Sequence, residues 1–166
     1  FKKFKLEIVD AEINDVNAGS LRLVVKKKNN KLNNVAGFTK EIGKLRLDSL
    51  ILNEKKLKFS QKDIYLKFKK RVDLQKNKLL KLLKSLKQKK KKVYGYGAST
   101  KGNTLLQYYK IDKNLVSAIA ERQKSKDGLL TVGSWIPIIS EEKMRKLKPD
   151  YMLVLPWQFI HEFEKY

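Results

Sequence analysis

The fold of the chain is organised around the segment VYGYGASTKGNT, residues 93–104. It joins a short apolar run to a glycine-rich loop, and a helix-like segment follows at residues 105–109. A loop between a strand and a helix places backbone N–H groups and the positive end of the helix dipole around one point, which suits an anion such as phosphate. The sequence therefore predicts an anion-binding turn here, and we interpret it as the functional centre of the chain.

The loop departs from the two commonest phosphate-binding patterns. Gly95, Gly97 and Gly102 do not have the G-x-G-x-x-G spacing of dinucleotide-binding loops. Gly97 and Gly102 have the separation of the Walker loop, but Asn103 and Thr104 follow where Lys and Ser or Thr are required. A Walker-type ATPase is therefore not indicated.

The loop nevertheless carries polar groups that suit a diphosphate. Lys101 supplies a charge, Ser99 and Thr100 supply hydroxyls, and Asn103 supplies an amide. These groups favour a phosphate ligand over the alternative, a tight strand-to-helix turn without a ligand.

Residues 93–166 alternate between short apolar runs and helical pieces. Such alternation predicts a parallel sheet with right-handed crossovers, whose ligands bind at the carboxyl ends of the strands. The predicted strands are 93–97, 115–120, 136–139 and 151–155, and the predicted helices are 103–109 and 141–147. The edge of this sheet should gather residues 97–104, Glu121 with Arg122, Ser140, and Pro156 with Trp157.

Three side chains near that edge have two interpretations each. Arg122 follows the second strand and contacts a ribose or phosphate, or it forms a surface ion pair with Glu121 or Asp127. Trp157 stacks on a base, or it packs in the core under the C-terminal helix. His161 is interpreted as a surface residue of that helix rather than a catalytic base.

The N-terminal part has a different pattern. Residues 6–13 and 20–27 predict two antiparallel strands, and residues 29–34 predict a polar loop. Residues 35–59 indicate one or two short helices, and 63–90 predict one long helix of about 40 Å. The predicted fold class is thus α/β, a Rossmann-like parallel sheet flanked by helices and preceded by a β-hairpin and a long linking helix.

Composition limits the possible partners and sites. The formal net charge of +22 invites a nucleic-acid interpretation, but only five of the 39 basic residues are arginine and the lysines are spread along the chain. Specific nucleic-acid binding is therefore not favoured, although a lysine-rich nucleic-acid-binding module stays open as an alternative. The absence of cysteine and the single His161 argue against a metal site.

The sequence also carries no membrane or export signal. No apolar run approaches the roughly 20 residues of a membrane span, so no membrane partner is predicted and the expected compartment is the cytoplasm. The start FKKFKLEIV lacks an initiator methionine, from which we expect the chain to be a piece of a longer polypeptide.

Four segments together resemble a known family. They are VYGYGASTKGNTLL at 93–106, TVGSWIPIIS at 131–140, KPDYMLVLPWQF at 148–159 and NAGSLRLVV at 17–25. The first three resemble the C-terminal domain of bacterial sugar C-methyltransferases, S-adenosylmethionine-dependent enzymes that methylate nucleotide-linked ketosugars. The fourth is similar to the last strands of that family's methyl-donor domain.

The resemblance implies a division of labour within a larger enzyme. In the family, a zinc-binding domain and a methyl-donor domain with a Y-H-E-H type catalytic segment precede the C-terminal domain, and this chain has no such segment. Zinc, S-adenosylmethionine and the catalytic residues would therefore belong to upstream domains, and this chain alone would be inactive. Residues 1–28 would be terminal strands of the methyl-donor domain, 29–92 a helical linker and 93–166 the nucleotide-sugar-binding domain.

The resemblance also implies a ligand, a nucleotide-linked sugar such as a thymidine diphosphate sugar. The residues implied to bind it are Tyr96, Gly97, Ala98, Ser99, Thr100, Lys101, Gly102, Asn103, Thr104, Arg122 and Trp157. Two segments depart from the family pattern, 131–135 and 121–123, and they leave the sugar open. A dinucleotide-binding, reductase-like domain also stays open, because Glu121 supplies the acidic residue that such domains use after the second strand.

Overall fold

A computed structural model of the chain describes residues 1–30 and 39–164. The chain divides into two compact units, Phe1–Lys69 and Lys70–Tyr166. The three-part division at residues 28 and 92 stays a prediction. In the described ranges, none of the helices has the length and apolarity that a membrane span requires.

The first unit is built around an antiparallel hairpin. Strands β1 (Leu6–Asn14) and β2 (Ser20–Lys27) form the antiparallel pair that the sequence predicts. The pairing has a bulge between Ile8 and Asp10. Helix α1 (Lys40–Lys56) packs on β1. One helix of 17 residues thus stands where one or two short helices are predicted, and the loop predicted at 29–34 lies mostly outside the described residues.

One ion pair ties α1 to β1. The buried carboxylate of Asp10 accepts hydrogen bonds from Nε of Arg46 at 2.8 Å and from its Nη2. The hydrogen bonds from Arg46 outweigh the opposing effect of burial and lower the pKa of Asp10. The hairpin therefore has its own covering helix and its own polar anchor.

The predicted long helix is α2 (Lys62–Gln88). The boundary between the two units falls within it, and its later part carries Leu83 and Leu86, which are buried in the core of the second unit. Leu106 of the following helix lies in the same core. The end of α2 thus belongs to the packed body of the second unit.

The second unit contains a four-stranded parallel sheet, as predicted. Its strands are β3 (Val93–Tyr96), β4 (Ile119–Glu121), β5 (Ile138–Ser140) and β6 (Tyr151–Val154), in the order β5-β4-β3-β6. Its helices are α3 (Thr100–Tyr109), α4 (Glu141–Leu147) and α5 (Ile160–Phe163). All neighbouring strands are parallel, so their carboxyl ends share one edge.

Two boundaries in this unit differ from the predicted ones by three residues or more. β4 begins at Ile119 rather than at residue 115, because the N–H groups of Leu115 and Val116 donate to the carbonyl of Asp112 and form a turn there. α3 begins at Thr100 rather than at residue 103, because the hydroxyl of Ser99 caps its first turn. Apolar residues before β4 therefore fill the core without being in a strand.

The two faces of this sheet carry different side chains, since successive strand residues point to opposite faces. Val93, Ile119 and Leu155 pack with α2 and α3 in the main core. Tyr96, Ala120, Met152 and Val154 line a cavity that Met144 of α4 and Phe163 of α5 also line. The sheet thus has an α2/α3 face and an α4/α5 face.

Candidate functional site

The carboxyl ends of the four strands meet as the parallel topology requires. The N–H of Ala98, after β3, donates to the carboxylate of Glu121, at the end of β4, at 2.9 Å. The hydroxyl of Tyr96 hydrogen-bonds to Glu141, after β5. The loop after β3 also contacts Pro156, after β6, so the structure confirms the predicted edge.

The glycines of the loop are required by close packing. Gly97 has φ of +80°, and a Cβ there would lie 2.6 Å from Cδ and Cγ of Pro156. A Cβ at Gly102 would lie 2.6 Å from Cβ of Leu155. Only glycine lets the loop and the first turn of α3 approach the end of β6 this closely.

Two hydroxyls among the residues implied to bind the nucleotide sugar have local partners. Oγ of Ser99 accepts a hydrogen bond from the N–H of Gly102 at 3.0 Å, which makes Ser99 the N-cap of α3. Oγ1 of Thr104 donates to the carbonyl of Thr100 at 3.1 Å. Ser99 therefore stabilises the start of the helix, and the Thr104 hydroxyl bonds back to the preceding turn.

An ion pair fixes the loop from the side of β4. Oε2 of Glu121 accepts from the N–H of Ala98 and from Nζ of Lys126 at 3.2 Å, and Oε1 accepts from the N–H of Gln123 at 3.1 Å. Nζ of Lys126 also donates to the carbonyl of Ala98 at 3.1 Å. Both backbone polar groups of Ala98 are thereby held by one pair of opposite charges.

The protonation of Glu121 reflects these contacts. Burial raises its pKa, but the hydrogen bonds from Gln123, Lys126 and Ala98 together outweigh burial and hold the pKa below its ordinary value of 4.5. The carboxylate is therefore charged at neutral pH and is engaged with the protein through both of its oxygens.

A cavity of about 520 Å³ opens beside the loop on the α2/α3 face, and we call it the loop cavity. Loop and α3 residues line one wall, and a segment after Lys126 lines the other. Its lining comprises Ala98, Ser99, Thr100, Asn103, Leu106, Lys126, Leu129, Leu130, Thr131, Val132, Ile138 and Leu155. Oδ1 of Asn103, a residue of this lining, is buried and has no hydrogen-bond partner in the part of the chain that the structure describes.

A second cavity of about 320 Å³ lies on the α4/α5 face, and we call it the tyrosine cavity. Its charged and polar lining residues include a hydrogen-bonded cluster of Tyr96, Glu141 and Arg122, in which Nε of Arg122 donates to Oε1 of Glu141 at 2.8 Å. Arg145 and Glu164 also line the cavity. The ring of Phe163 packs edge-on against Tyr96, with 4.8 Å between centroids, and lies 5.9 Å from the guanidinium carbon of Arg122. The three polar groups thus satisfy one another under an aromatic cover.

The pKa values in the tyrosine cavity follow from this cluster. Burial and the hydrogen bond to Glu141 raise the pKa of Tyr96. Burial also raises the pKa of Glu141, but the hydrogen bonds from Tyr96 and Arg122 reverse this and lower it. At neutral pH the cluster therefore holds a neutral phenol, a carboxylate and a guanidinium.

The residues predicted to form one site are divided between these cavities. Ala98, Ser99, Thr100 and Asn103 line the loop cavity, and Tyr96 and Arg122 line the tyrosine cavity. The linings of the two cavities do not include Gly97, Lys101, Gly102, Thr104 or Trp157. The binding of a nucleotide sugar by all eleven residues stays a prediction.

Two interpretations of single side chains need correction: the surface ion pair of Arg122 has another partner, and Trp157 is not buried. Arg122 forms its ion pair with Glu141, whereas Lys126 pairs with Glu121 and Lys143 with Asp127. Trp157 is 52% exposed and is therefore not a core residue. His161 is exposed, as expected, and its Nδ1 lies 3.6 Å from Glu164.

Sequence reasoning missed the roles of Lys126 and Glu141. Lys126 carries no signal because lysines surround it in a chain with 39 basic residues. Glu141 follows a predicted strand, so the strand-end rule could have identified it as a site residue. Its partners Tyr96 and Arg122 lie 45 and 19 residues away in the chain. Only the folded sheet brings these groups together.

Comparison with known proteins identifies the family. Residues 15–165 match the family described as C-methyltransferase C-terminal domain. C-methyltransferase NovU from Streptomyces niveus is 38% identical to the chain over 72 residues, which are 43% of this chain and 17% of that protein. The aligned part is thus a small share of the relative's length. Because the family match covers most of the residues of this chain, the chain belongs to the C-methyltransferase C-terminal domain family.

Proposed function

We propose that this chain is the nucleotide-sugar-binding C-terminal portion of an S-adenosylmethionine-dependent sugar C-methyltransferase. The loop cavity would hold the nucleotide diphosphate of a ketosugar, such as a thymidine diphosphate sugar. The rest of the methyltransferase would be its partner, and residues 1–28 would be strands of the methyl-donor domain. Membership of the family and the position of the cavity at the carboxyl ends of parallel strands support this proposal.

The observation that carries the proposal is the unsatisfied acceptor at the start of α3. Oδ1 of Asn103 is buried in a residue that lines the loop cavity, and it requires a donor. A phosphate oxygen cannot donate, but a hydroxyl of a ribose or sugar can. A ligand with both groups would satisfy Asn103 while its phosphate lies at the positive end of the α3 dipole near Lys101.

The chain's contribution to the reaction would be positioning. S-adenosylmethionine, bound by another part of the enzyme, would supply the methyl group. Zinc would also be held elsewhere, because the sequence has no cysteine. The loop, held by Glu121 and Lys126, would fix the diphosphate so that the sugar carbon meets the donor methyl in a productive orientation.

The two alternative functions are less well supported. A dinucleotide would need the carboxylate of Glu121 for its ribose, but both carboxylate oxygens already accept hydrogen bonds from the protein. A nucleic-acid-binding module would rest on net charge alone. Retention of DNA or RNA with sequence preference at physiological salt would favour that module.

Calorimetry with thymidine diphosphate tests the proposal. Lys101→Ala should weaken binding about tenfold, since a charge-assisted contact to a phosphate contributes roughly 1.5 kcal/mol. Lys113→Ala is the matched control, because Lys113 is an exposed lysine of the same unit that lies outside both the glycine loop and α3, whereas Lys101 lies in the first turn of α3. Ser99→Ala is less suitable, since it would also remove the cap of α3.

The control should bind as the original chain does. Equal weakening by both lysine substitutions would show that the loss of affinity comes from the change in net charge and not from a contact of Lys101. A chain that binds no nucleoside diphosphate at all would contradict the proposed function.

A further inference from the structure

The wall of the loop cavity opposite α3 exposes three large apolar side chains. Leu129, Leu130 and Val132 are 55%, 50% and 69% exposed, respectively, and all three line the cavity. We call them the apolar platform. Single exposed leucines are common on protein surfaces, but a cluster beside a cavity marks a place where apolar area is covered on binding.

The backbone that carries the apolar platform is firmly held. The N–H of Gly128 donates to the carbonyl of Ile138 at 3.0 Å, and the N–H of Ile138 donates to the carbonyl of Leu129 at 2.8 Å. Leu130 forms an antiparallel bridge with Pro137. The exposure of these side chains is thus a feature of an ordered segment, which presents them in fixed positions.

A buried hydroxyl pair holds the middle of the same segment. Thr131 is 5% exposed and Ser134 is 6% exposed, and their hydroxyl oxygens lie 2.7 Å apart. Oγ1 of Thr131 also accepts from the N–H of Ile136 at 2.9 Å, and the N–H of Thr131 donates to the carbonyl of Ile136 at 3.0 Å. Because Thr131 points inward, its neighbours Leu130 and Val132 are left toward the cavity and solvent.

The two walls of the loop cavity therefore offer opposite chemistry. The α3 wall has the polar groups of Ser99, Thr100 and Asn103, and the other wall has the apolar platform together with Lys126 and Thr131. A ligand that fills this cavity of about 520 Å³ should have a polar, anionic part and a flat apolar part. A nucleoside diphosphate has both.

We propose that the nucleobase of the ligand lies on Leu129, Leu130 and Val132 while its diphosphate lies at the first turn of α3. This inference rests on the proposed function and adds to it the place where the base is bound. The platform makes the affinity for a nucleoside diphosphate exceed the affinity for pyrophosphate. It acts through apolar contact, so substitution changes the binding of the base and leaves the binding of phosphate unaffected.

The test compares two probes, pyrophosphate and thymidine diphosphate, by calorimetry on the whole chain. The original chain should bind thymidine diphosphate more tightly than pyrophosphate. The double substitution Leu130→Ser and Val132→Ser should weaken thymidine diphosphate binding by about fivefold or more, given the apolar area that the base would cover. Pyrophosphate binding should stay within about twofold, because no phosphate contact has changed.

Two further variants guard against indirect effects. Val132→Thr keeps the shape of the side chain at a position that is 69% exposed, so it preserves folding while it reduces apolar contact. Leu147→Ser is the matched control, because Leu147 is 42% exposed on α4 and lies outside the cavity lining. Val132→Thr should weaken thymidine diphosphate binding alone, and Leu147→Ser should change neither affinity.

The outcomes separate this inference from the proposed function. If pyrophosphate binds but the substitutions leave thymidine diphosphate binding unchanged, the platform is not the base site and the diphosphate site stands. Equal binding of both probes by the original chain would likewise show that the platform is not the base site, while the diphosphate site stands. If the original chain binds neither probe, the proposed function fails and this inference fails with it.

Discussion

The two cavities at the carboxyl edge of the parallel sheet have different polar chemistry. In the tyrosine cavity, Tyr96 and Arg122 both hydrogen-bond to Oε1 of Glu141, and Phe163 covers the cluster. The loop cavity is lined by Asn103, whose buried Oδ1 has no hydrogen-bond partner among the described residues, and by exposed apolar side chains. This difference supports the proposal that the loop cavity holds the ligand, because groups that satisfy one another gain little from one.

The cavities also differ in how their walls are built. The loop cavity depends on backbone that is held by the Glu121–Lys126 pair and by glycine packing against residues 155–156. The tyrosine cavity depends on side chains from β3, β4, α4 and α5. Substitutions that disturb one cavity should therefore leave the other cavity intact.

Gly97→Ala should have the largest effect, because Gly97 lies between Tyr96 of one cavity and Ala98 of the other. The new Cβ would meet Pro156 at 2.6 Å, and alanine is unfavourable at φ of +80°. The free energy of unfolding should fall by about 2–4 kcal/mol, from strain and overpacking together. Denaturant unfolding measures it.

Thr104→Ala on α3 is the control and should change the free energy of unfolding by less than about 0.5 kcal/mol. Equal stability of Gly97→Ala and the original chain would show that the packing against Pro156 does not constrain the loop.

Tyr96→Phe should have an intermediate effect that is confined to the tyrosine cavity. It removes the hydroxyl that hydrogen-bonds to Glu141 and leaves the contact of the ring with Phe163. The free energy of unfolding should fall by about 0.5–1.5 kcal/mol. Thymidine diphosphate binding should change less than about twofold, which corresponds to less than 0.5 kcal/mol.

Calorimetry together with thermal unfolding checks both quantities. A large loss of affinity in Tyr96→Phe at unchanged stability would place the nucleotide in the tyrosine cavity, where Tyr96 and Arg122 lie, and would break the distinction between the two cavities.

The smallest effects should appear in the pH dependence of stability, with opposite signs for Glu121 and Tyr96. The pKa of Glu121 is lowered on folding, so its contribution is complete above the ordinary value of 4.5 and is lost as pH falls through the lower folded value. The pKa of Tyr96 is raised, so its contribution is complete below the ordinary value of 10.0 and is lost as pH rises above it.

Unfolding curves between pH 3 and about 11 measure these effects, each expected to be on the order of 1 kcal/mol or less. Glu121→Gln should flatten the acidic side. Tyr96→Phe should flatten the alkaline side and also reduce the acidic contribution of Glu141, because the Tyr96 hydroxyl lowers the pKa of that carboxyl. If Glu121→Gln leaves the acidic side unchanged, the ion pair with Lys126 does not stabilise the loop.

The fold was largely predictable because its signals are local. Hydrophobic alternation located β1, β2, β3 and β6 within one or two residues, and the capping serine Ser140 located α4. The boundary of β4 was wrong because an apolar run serves a buried turn as well as it serves a strand. Hydrophobic periodicity indicates which residues are buried, and burial alone does not distinguish a strand from a buried turn.

The edge of the sheet at which the predicted site residues lie followed from the sequence, but their distribution around that edge did not. The strand-end rule brought the right residues to the same side of the sheet, because it depends only on strand direction. Whether a side chain faces α3 or α4 depends on strand alternation and on neighbours from distant segments, such as Phe163 beside Tyr96. That choice divided the predicted residues between two cavities.

The fold class, the parallel sheet and the glycine loop were predictable from the sequence, since composition, periodicity and glycine spacing are properties of neighbouring residues. The contacts of Glu121 and Lys126 with Ala98, the link from Tyr96 through Glu141 to Arg122, and the unsatisfied oxygen of Asn103 became visible only in the folded chain. A hydrogen bond or ion pair depends on distance in space, and packing of the sheet sets those distances between segments far apart in the chain.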